Sequence, residues 1–476
     1  MINASEWAEG KVPAIVRPDF VPKEGYLSRE WLQLEKDRLW PRVWQVACRE
    51  EEIPQIGDYV SFEIADESII IVRVAVDKLK AYYNVCQHRG RRLLSGCGRI
   101  ARFHCRFHGW QWHLDGSIAR VLDRPDWDGC ADFDDSSLRL KELRLDTWGG
   151  FVFVNMDSAA EPLHRYLDPI NAIYGPYEFE KMRYRWYKSI KLPCNWKVAV
   201  EAFNEAYHVF ATHPQLLDTF GDDETRSFAH GKHAMFGYFS TQRPVGTPSS
   251  RTGKPLPTDI RAGVVDFFKG IDEQLAAVTT QRGFQAATRL LTEVPEGTSP
   301  QEIFAKVLQF QREAALAEGA GWPDLTAEQI YKAGTDWHAF PNLIMLASPE
   351  ALLAYRARPF GDDPDWCIFD IWSLQRYGPA AEPPLKREFY YGDRDWCTDV
   401  EAKVGRILAQ DVANMSEVQK GMKSRGFVAS RTNPIQETPV SNFHRVIHEY
   451  LFGAQETQSA KAPAGTALRD IQIRAI

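Results

Sequence analysis

Between Asn84 and Trp112 the chain reads NVCQHRGRRLLSGCGRIARFHCRFHGWQW. Two short clusters lie in this stretch, Cys86-x-His88 and Cys105-x-x-His108, with sixteen residues between them. Each cluster offers one thiolate and one imidazole, both good ligands for a borderline-soft metal. Gly90 and Gly109 follow the two histidines closely, which suits tight turns that bring ligands together. A structural zinc site normally draws on CxxC and HxxxH pairs, each of one residue type. A [2Fe–2S] centre of mixed ligation instead needs two Cys on one iron and two His on the other. Two mixed Cys/His loops facing each other supply that set. Zinc, or four unrelated residues, is the competing reading.

The surroundings suit loops held by strands. From Val43 to about Met156 the sequence runs through DYVSFEIA, SIIIVRVAV, KAYYNVC, IARFHC and GGFVFVNM. Alternation and β-branched residues, separated by Gly and Asp, predict a small antiparallel domain with the cluster loops between its strands. Trp110 and Trp112 either pack over a cluster or serve as ordinary core aromatics. This stretch resembles the cluster-binding loops of Rieske proteins: CxH, a spacer of about this length, then CxxH. The resemblance implies Cys86, His88, Cys105 and His108 as ligands of one Rieske [2Fe–2S] cluster.

With 476 residues the chain is long enough for two domains, each with its own core. Its net charge is −7 and no basic block appears, which argues against nucleic acid or an anionic membrane as partner. No run of eighteen apolar residues and no signal-type N-terminus is present, so no membrane span is expected. Cys48, Cys97, Cys130, Cys194, Cys367 and Cys397 are scattered without a pairing pattern, as reduced thiols in a cytoplasmic protein would be.

Three segments are expected: a helical N-terminal segment over 1–42 packing on the catalytic domain, a cluster domain over 43–160, and a catalytic domain over 161–476. Residues 26–40, YLSREWLQLEKDRLW, predict an amphipathic helix capped by Ser28. In the second domain, NWKVAVEAFNEAYHVFATH predicts one helix after Pro193. Trp196, Val200, Phe203 and Tyr207 fall on its apolar face, and Glu201, Glu205 and His208 share another. His213 lies five residues beyond His208, so both reach one metal only if the helix ends between them, as Pro214 suggests. Two ordinary histidines are the alternative.

NWK followed by E-x-F-x-E-x-Y-H-x4-H resembles the mononuclear iron segment of Rieske non-haem iron oxygenase α subunits. In that family two such histidines and a distant Asp form a 2-His-1-carboxylate triad. A second helix is predicted from Cys397 to Lys423, with a buried stripe of Val400, Val404, Ile407, Leu408, Met415 and Val418. Asp411 falls inside that stripe, where a carboxylate is costly unless it is paired or binds a metal. A buried salt bridge is one explanation. Asp411 with Gln419 and Gly421 also matches the family's D-x7-Q-x-G pattern, which makes Asp411 the third ligand, with Asp399, Glu401 and Glu417 as substitutes. Residues 223–335 predict a helical elaboration over the substrate pocket or a subunit contact. FPNL at Phe340–Leu343 and the strand-like runs after it also resemble the family.

The resemblance covers nearly the whole chain and implies an α+β protein. Its parts are a small antiparallel β Rieske domain and a helix-grip (START-like) catalytic domain, an antiparallel sheet around a long C-terminal helix. It implies one Rieske cluster, one mononuclear Fe(II) on His208, His213 and Asp411, and electrons from NAD(P)H through a separate reductase or ferredoxin. The implied activity is mono- or cis-dihydroxylation by O2 of an aromatic or other hydrophobic substrate, such as a polycyclic or terpenoid acid. The family assembles as homotrimers or hexamers, in some cases with a β subunit. In it an acidic residue bridges the two metal sites between subunits, a place that falls to Glu205 here, facing the partner's counterpart of His108. Most members have Asp at that place. Glu resembles the branch acting on quaternary ammonium compounds, so a monooxygenase or N-demethylase of that class is the alternative. Ala202 departs too, standing where many members carry Asn. A non-catalytic electron-transfer or ligand-binding protein is the remote third class, and it predicts a damaged triad.

Overall fold

The computed structural model describes residues 20–221, 225–238, 243–381, 387–391 and 400–453. After a single helical turn at Glu24–Leu27 comes α1 (Arg29–Arg38), and the Ser28 side chain accepts from the Trp31 amide at its start, as expected. Glu35 of α1 is fully buried. It accepts hydrogen bonds from Trp196 Nε1 at 2.8 Å and Lys197 Nζ at 2.5 Å, which fastens the helix to the start of the catalytic domain.

Ten strands follow: β1 (Gln45–Arg49), β2 (Asp58–Ile64), β3 (Glu67–Ala75), β4 (Lys78–Tyr83), β5 (Cys97–Arg99), β6 (Phe103–His104), β7 (Gln111–Trp112), β8 (Ile118–Arg120), β9 (Glu142–Trp148) and β10 (Phe151–Asn155). Seven of them form an antiparallel sheet in the order β1-β10-β9-β4-β3-β2-β5, and β6-β7-β8 form a small separate one. The period of two along β3 explains its place between two cores. Ile69 and Ile71 join the core shared with the catalytic domain. Ile70 and Val72 face the opposite way, into a cluster that contains Cys86, Cys105, Trp110 and Trp112.

Beyond them come, among other elements, β11 (Arg183–Leu192), α2 (Trp196–Glu201), α3 (Val209–Thr212), β12 (Thr225–His230), β13 (His233–Tyr238), α4 (Arg261–Leu275), α5 (Gln281–Thr288), α6 (Pro300–Ala317), β14 (Asp336–Ala339), β15 (Leu343–Ala347), β16 (Ala351–Pro359), β17 (Cys367–Gln375), β18 (Arg387–Tyr391), α7 (Arg406–Met422) and α8 (Thr438–Phe452). Eight strands build one sheet, β12-β13-β14-β15-β16-β17-β11-β18, antiparallel throughout except for β11 with β18. The buried stripe of α7 packs in one core with Tyr355, Phe369 and Ile371 of the sheet, the arrangement expected of a helix-grip domain. Arg356 and Asp370 stand directly opposite each other on β16 and β17. The Arg356 guanidinium donates to Asp370 Oδ2 and also to the carbonyls of Val46 and Ala47 on β1, so one buried ion pair joins the two sheets.

Several local expectations need correction. The single helix over NWKVAVEAFNEAYHVFATH is two: α2 ends at Glu201 and α3 begins at Val209. Tyr207, placed on an apolar face by the continuous helix, is 48% exposed. Glu201 turns away from Glu205 and His208, accepting from Tyr26 Oη at 2.9 Å and pairing with His444 Nε2 at 2.5 Å. The elaboration over 223–335 opens with the β12–β13 hairpin and becomes helical only from Arg261. Val418 is exposed rather than part of the buried stripe of α7. Gly405 separates α7 from a short helix Val400–Val404, while Cys397 and Asp399 lie outside the described residues.

Candidate metal centres and substrate cavity

The two Cys/His loops are built alike. In each, the glycine amide donates back to the carbonyl of the cysteine, Gly90 to Cys86 and Gly109 to Cys105, both at 3.0 Å. Gly90 and Gly109 have φ of +75° and +73°, the left-handed region where glycine is unstrained. The paired loops bring the two buried cysteines beside each other and place the His88 and His108 rings 4.6 Å apart. His88 Nδ1 is buried and has no hydrogen-bond partner among the described residues, a costly state for an imidazole unless that nitrogen binds a metal. Burial, with His108 and Arg89 nearby, lowers the pKa of His88 and keeps it neutral, as a ligand must be. Two cysteines on one side and two histidines on the other fit a Rieske cluster. Trp110 stacks on His88, 4.8 Å between centroids and 9° between planes, so it covers the histidine side; Trp112 is an ordinary core residue. Trp127 meets His88 edge-on at 5.8 Å and stacks on Phe133, a cover that lay too far along the chain to be read from spacing.

The second constellation comes from three turns of chain. His208 precedes α3, His213 follows it with φ −121° and ψ 56°, and Asp411 sits on the buried face of α7. The chain leaves the helical conformation at His213, while His208 at the other end keeps helical angles, and both imidazoles face one point. One ligand atom from each of His208, His213 and Asp411 lies within 4.8 Å of the others. His213 Nε2 is 3.0 Å and His208 Nε2 is 3.6 Å from Asp411 Oδ1. The opposite nitrogens are committed elsewhere: His208 Nδ1 donates to Glu205 Oε1 at 2.7 Å and His213 Nδ1 to Gln410 Oε1 at 2.9 Å. These bonds hold both rings with Nε2 facing the shared point. Two imidazoles and one carboxylate fit a ferrous ion with open positions.

Glu205 does a second job, accepting the Tyr207 and His208 amides and so closing the backbone turn before α3. Burial opposes the charge of His208, but the carboxylates of Glu205 and Asp411 outweigh it and push its imidazole up to about 9 in the metal-free protein. Gln410 was not foreseen; Gln215 Nε2 donates to the same Gln410 oxygen at 2.8 Å and fixes its amide orientation. Glu437 was missed as well, and burial together with the nearby Glu205 and Glu201 pushes its carboxyl up to about 7. Glu401 and Glu417, the substitutes for Asp411, are exposed.

A cavity of about 340 Å³ ends on His208, His213 and Asp411. Phe220, Phe236, Phe267 and Phe268 line it with aliphatic residues from α4, α6 and β15, and among the described lining residues there is no Lys or Arg. The helical elaboration therefore forms a wall of this cavity. A wider open cleft of about 630 Å³, lined by Arg185, Arg282 and Arg289 among others, contains none of the triad.

Residues 179–453, more than half of the chain, match the family of ring-hydroxylating α subunits (catalytic domain). The chain belongs to that family. Residues 43–128 match the Rieske [2Fe–2S] domain. These two domains imply one Rieske cluster and one mononuclear iron. Among relatives, the carnitine monooxygenase oxygenase subunit of Escherichia coli (strain K12) is 31% identical over 237 residues, 49% of this chain and 61% of that protein. The anthranilate 1,2-dioxygenase large subunit of Acinetobacter baylyi is 30% identical over 234 residues, 46% of this chain and 48% of that protein. The chain thus matches less than two thirds of these relatives' length. A crystal structure of the quaternary ammonium Rieske monooxygenase CntA with L-carnitine shares the fold, with TM-score 0.59 and 19% identity over 94% of this chain and 99% of the other. No described helix is long and apolar enough to cross a membrane.

Proposed function

We propose that this family member is the terminal oxygenase of a two-site redox system, acting with O2 on an aromatic or other hydrophobic molecule held in the 340 Å³ cavity. The carrying observation is that an apolar cavity ends on a 2-His-1-carboxylate triad whose two imidazoles are already held by hydrogen bonds at Nδ1. In this account Cys86, His88, Cys105 and His108 hold the [2Fe–2S] cluster, and His208, His213 and Asp411 hold the iron. The cluster supplies electrons singly, and a ferrous ion with open positions supplies binding and reduction of dioxygen. The protein's own share is positional. Glu205 and Gln410 orient the two histidines, the phenylalanines exclude water and present the substrate, and Trp110 shields the cluster. Electrons come from a separate reductase or ferredoxin, and Glu205 bridges to the neighbouring subunit's cluster in a homotrimer or dimer of trimers.

A quaternary ammonium substrate is the second reading, supported by Glu205, by the carnitine-oxidising relative and by phenylalanines able to face a cation. Against it stands that, among the described lining residues, there is no Lys or Arg for a carnitine-like carboxylate. Substrate-dependent O2 uptake, measured with a donor reductase on bicyclic hydrocarbons and on trimethylammonium compounds in parallel, separates the two. Product formed only from the trimethylammonium set would overturn the first reading.

A further inference from the structure

The cavity is apolar along its length but not at its far end. Glu350 lies in the turn between β15 and β16, five residues from Tyr355, whose ring lines the cavity and whose hydroxyl feels the charge of Asp411. Five residues of strand span about 16 Å, so Glu350 sits remote from the triad. Thr279, Gln311 and Ser348 line the same end. Ser348 Oγ donates to the Val278 carbonyl at 2.7 Å, which fixes the segment that carries Thr279.

This end is built around a carboxylate. Glu350 is almost fully buried, and Arg282 approaches it from the open cleft behind, donating Nε to Oε1 at 3.0 Å. Oε2 accepts one hydrogen bond, from Thr280 Oγ1 at 3.2 Å, and retains capacity for another. Gly283 makes room for it: a Cβ there would stand 2.3 Å from Glu350 Oε2 and 3.3 Å from Gln311 Nε2. Beside them Thr279 is 7% exposed, and its Oγ1 has no hydrogen-bond partner among the described residues. A buried hydroxyl left unpaired in the wall of a cavity that opens on a metal site is a group waiting for a ligand atom.

We propose that Glu350, Thr279 and Gln311 form a recognition subsite for a hydroxyl group carried by the substrate remote from the carbon that is oxidised. A hydroxyl donates to Glu350 Oε2 and accepts from Thr279 Oγ1, using both unspent capacities at once. A ketone offers no donor. A carboxylate meets the charge of Glu350, so the subsite disfavours the hydrophobic acids that the sequence suggested as substrates. The inference rests on the hydrophobic-substrate reading and narrows it to apolar alcohols.

The test uses the iron- and cluster-loaded protein in isothermal titration calorimetry with four matched probes: 6-phenylhexan-1-ol, hexylbenzene, 6-phenylhexanoate and 6-phenylhexylammonium. The alcohol is expected to bind on the order of 10- to 100-fold more tightly than hexylbenzene, the range for one hydrogen bond to a charged group. It is also expected to bind more tightly than the carboxylate. In Thr279→Val, which keeps the charged acceptor, the ratio of alcohol to hexylbenzene affinity should fall about 2- to 10-fold, the range for one neutral hydrogen bond. In Glu350→Gln, which loses the charge, it should fall further. Thr279→Val is nearly isosteric and leaves the Arg282 pair intact, and an unchanged ratio in both variants overturns the subsite. Hexylbenzene binding without preference for the alcohol overturns the subsite alone. Preference for the ammonium over the alcohol also overturns it, in favour of a cation. Failure of hexylbenzene itself to bind overturns the hydrophobic-substrate reading and the subsite with it.

Discussion

Replacing Gln410 by Leu tests how the iron site is tuned from outside its ligands. Gln410 Oε1 takes the Nδ1 proton of His213 at 2.9 Å and is itself held by Gln215 at 2.8 Å. Leu has a similar volume, so the packing of α7 survives, but the buried His213 imidazole loses the acceptor that fixes its tautomer. Loss of such an outer partner typically lowers metal affinity about 10- to 100-fold, equivalent to about 1.4–2.7 kcal/mol. Competition for ferrous iron against a chelator of known affinity measures this directly, and the [2Fe–2S] signal serves as an internal control for folding. Gln410→Glu is expected to hold iron as well as the wild type, since a carboxylate accepts the same proton. Iron affinity of Gln410→Leu within about twofold of wild type would refute the reasoning.

Other parts of the fold give sharper stability tests. Burial works against the charge of Asp370, yet Arg356, Arg358 and Arg387 outweigh it and hold its carboxyl far below the usual range. Asp370→Asn leaves those cations uncompensated and should cost about 3–5 kcal/mol in denaturant unfolding, with an unchanged midpoint counting against the pair as a sheet-to-sheet tie. Burial drives His233 down to about 3 and His338 to about 4, so both fold as neutral imidazoles. Their contribution is present above the unfolded pKa and is lost as pH falls from about 6.5 toward those values. At pH 5 each should remove about 2 kcal/mol, and a flat stability profile from pH 7 to pH 5 would contradict it. Asp336 lies on β14 with neither carboxyl oxygen partnered among the described residues, and burial pushes its pKa well up. Asp336→Val is therefore expected to stabilise by about 1–3 kcal/mol, and a loss of similar size would show that the carboxyl has a partner in solution.

The cluster loops were legible because their chemistry is local: two candidate ligands per loop, two or three positions apart, each closed by a glycine. The place of Asp411 beside the two histidines was legible for a different reason, a carboxylate inside an apolar stripe, which helical periodicity exposes without any contact information. The break between α2 and α3 was hidden because no Gly or Pro marks it. A tertiary device makes it instead, with Glu205 spending one oxygen on the Tyr207 and His208 amides and the other on the His208 ring. The misplacing of Tyr207 and Glu201 followed from that one missed break. The β12–β13 hairpin escaped because its outward residues, Arg226, Phe228 and His230, face away from the buried Thr225 and Ser227, a weak alternation of polar types. Glu350 and Thr279 are 71 positions apart in the chain, and only the sheet and the helical wall bring them to one end of the cavity.

The most direct measurement of the two-site account is iron and acid-labile sulfide per chain on anaerobically purified protein. EPR of the dithionite-reduced form completes it, for wild type and for Asp411→Ala. The account predicts a Rieske-type signal in both proteins, and one iron per chain beyond the cluster that is present in wild type and absent from the variant. Zinc in place of iron and sulfide, or an extra iron that survives Asp411→Ala, would contradict it.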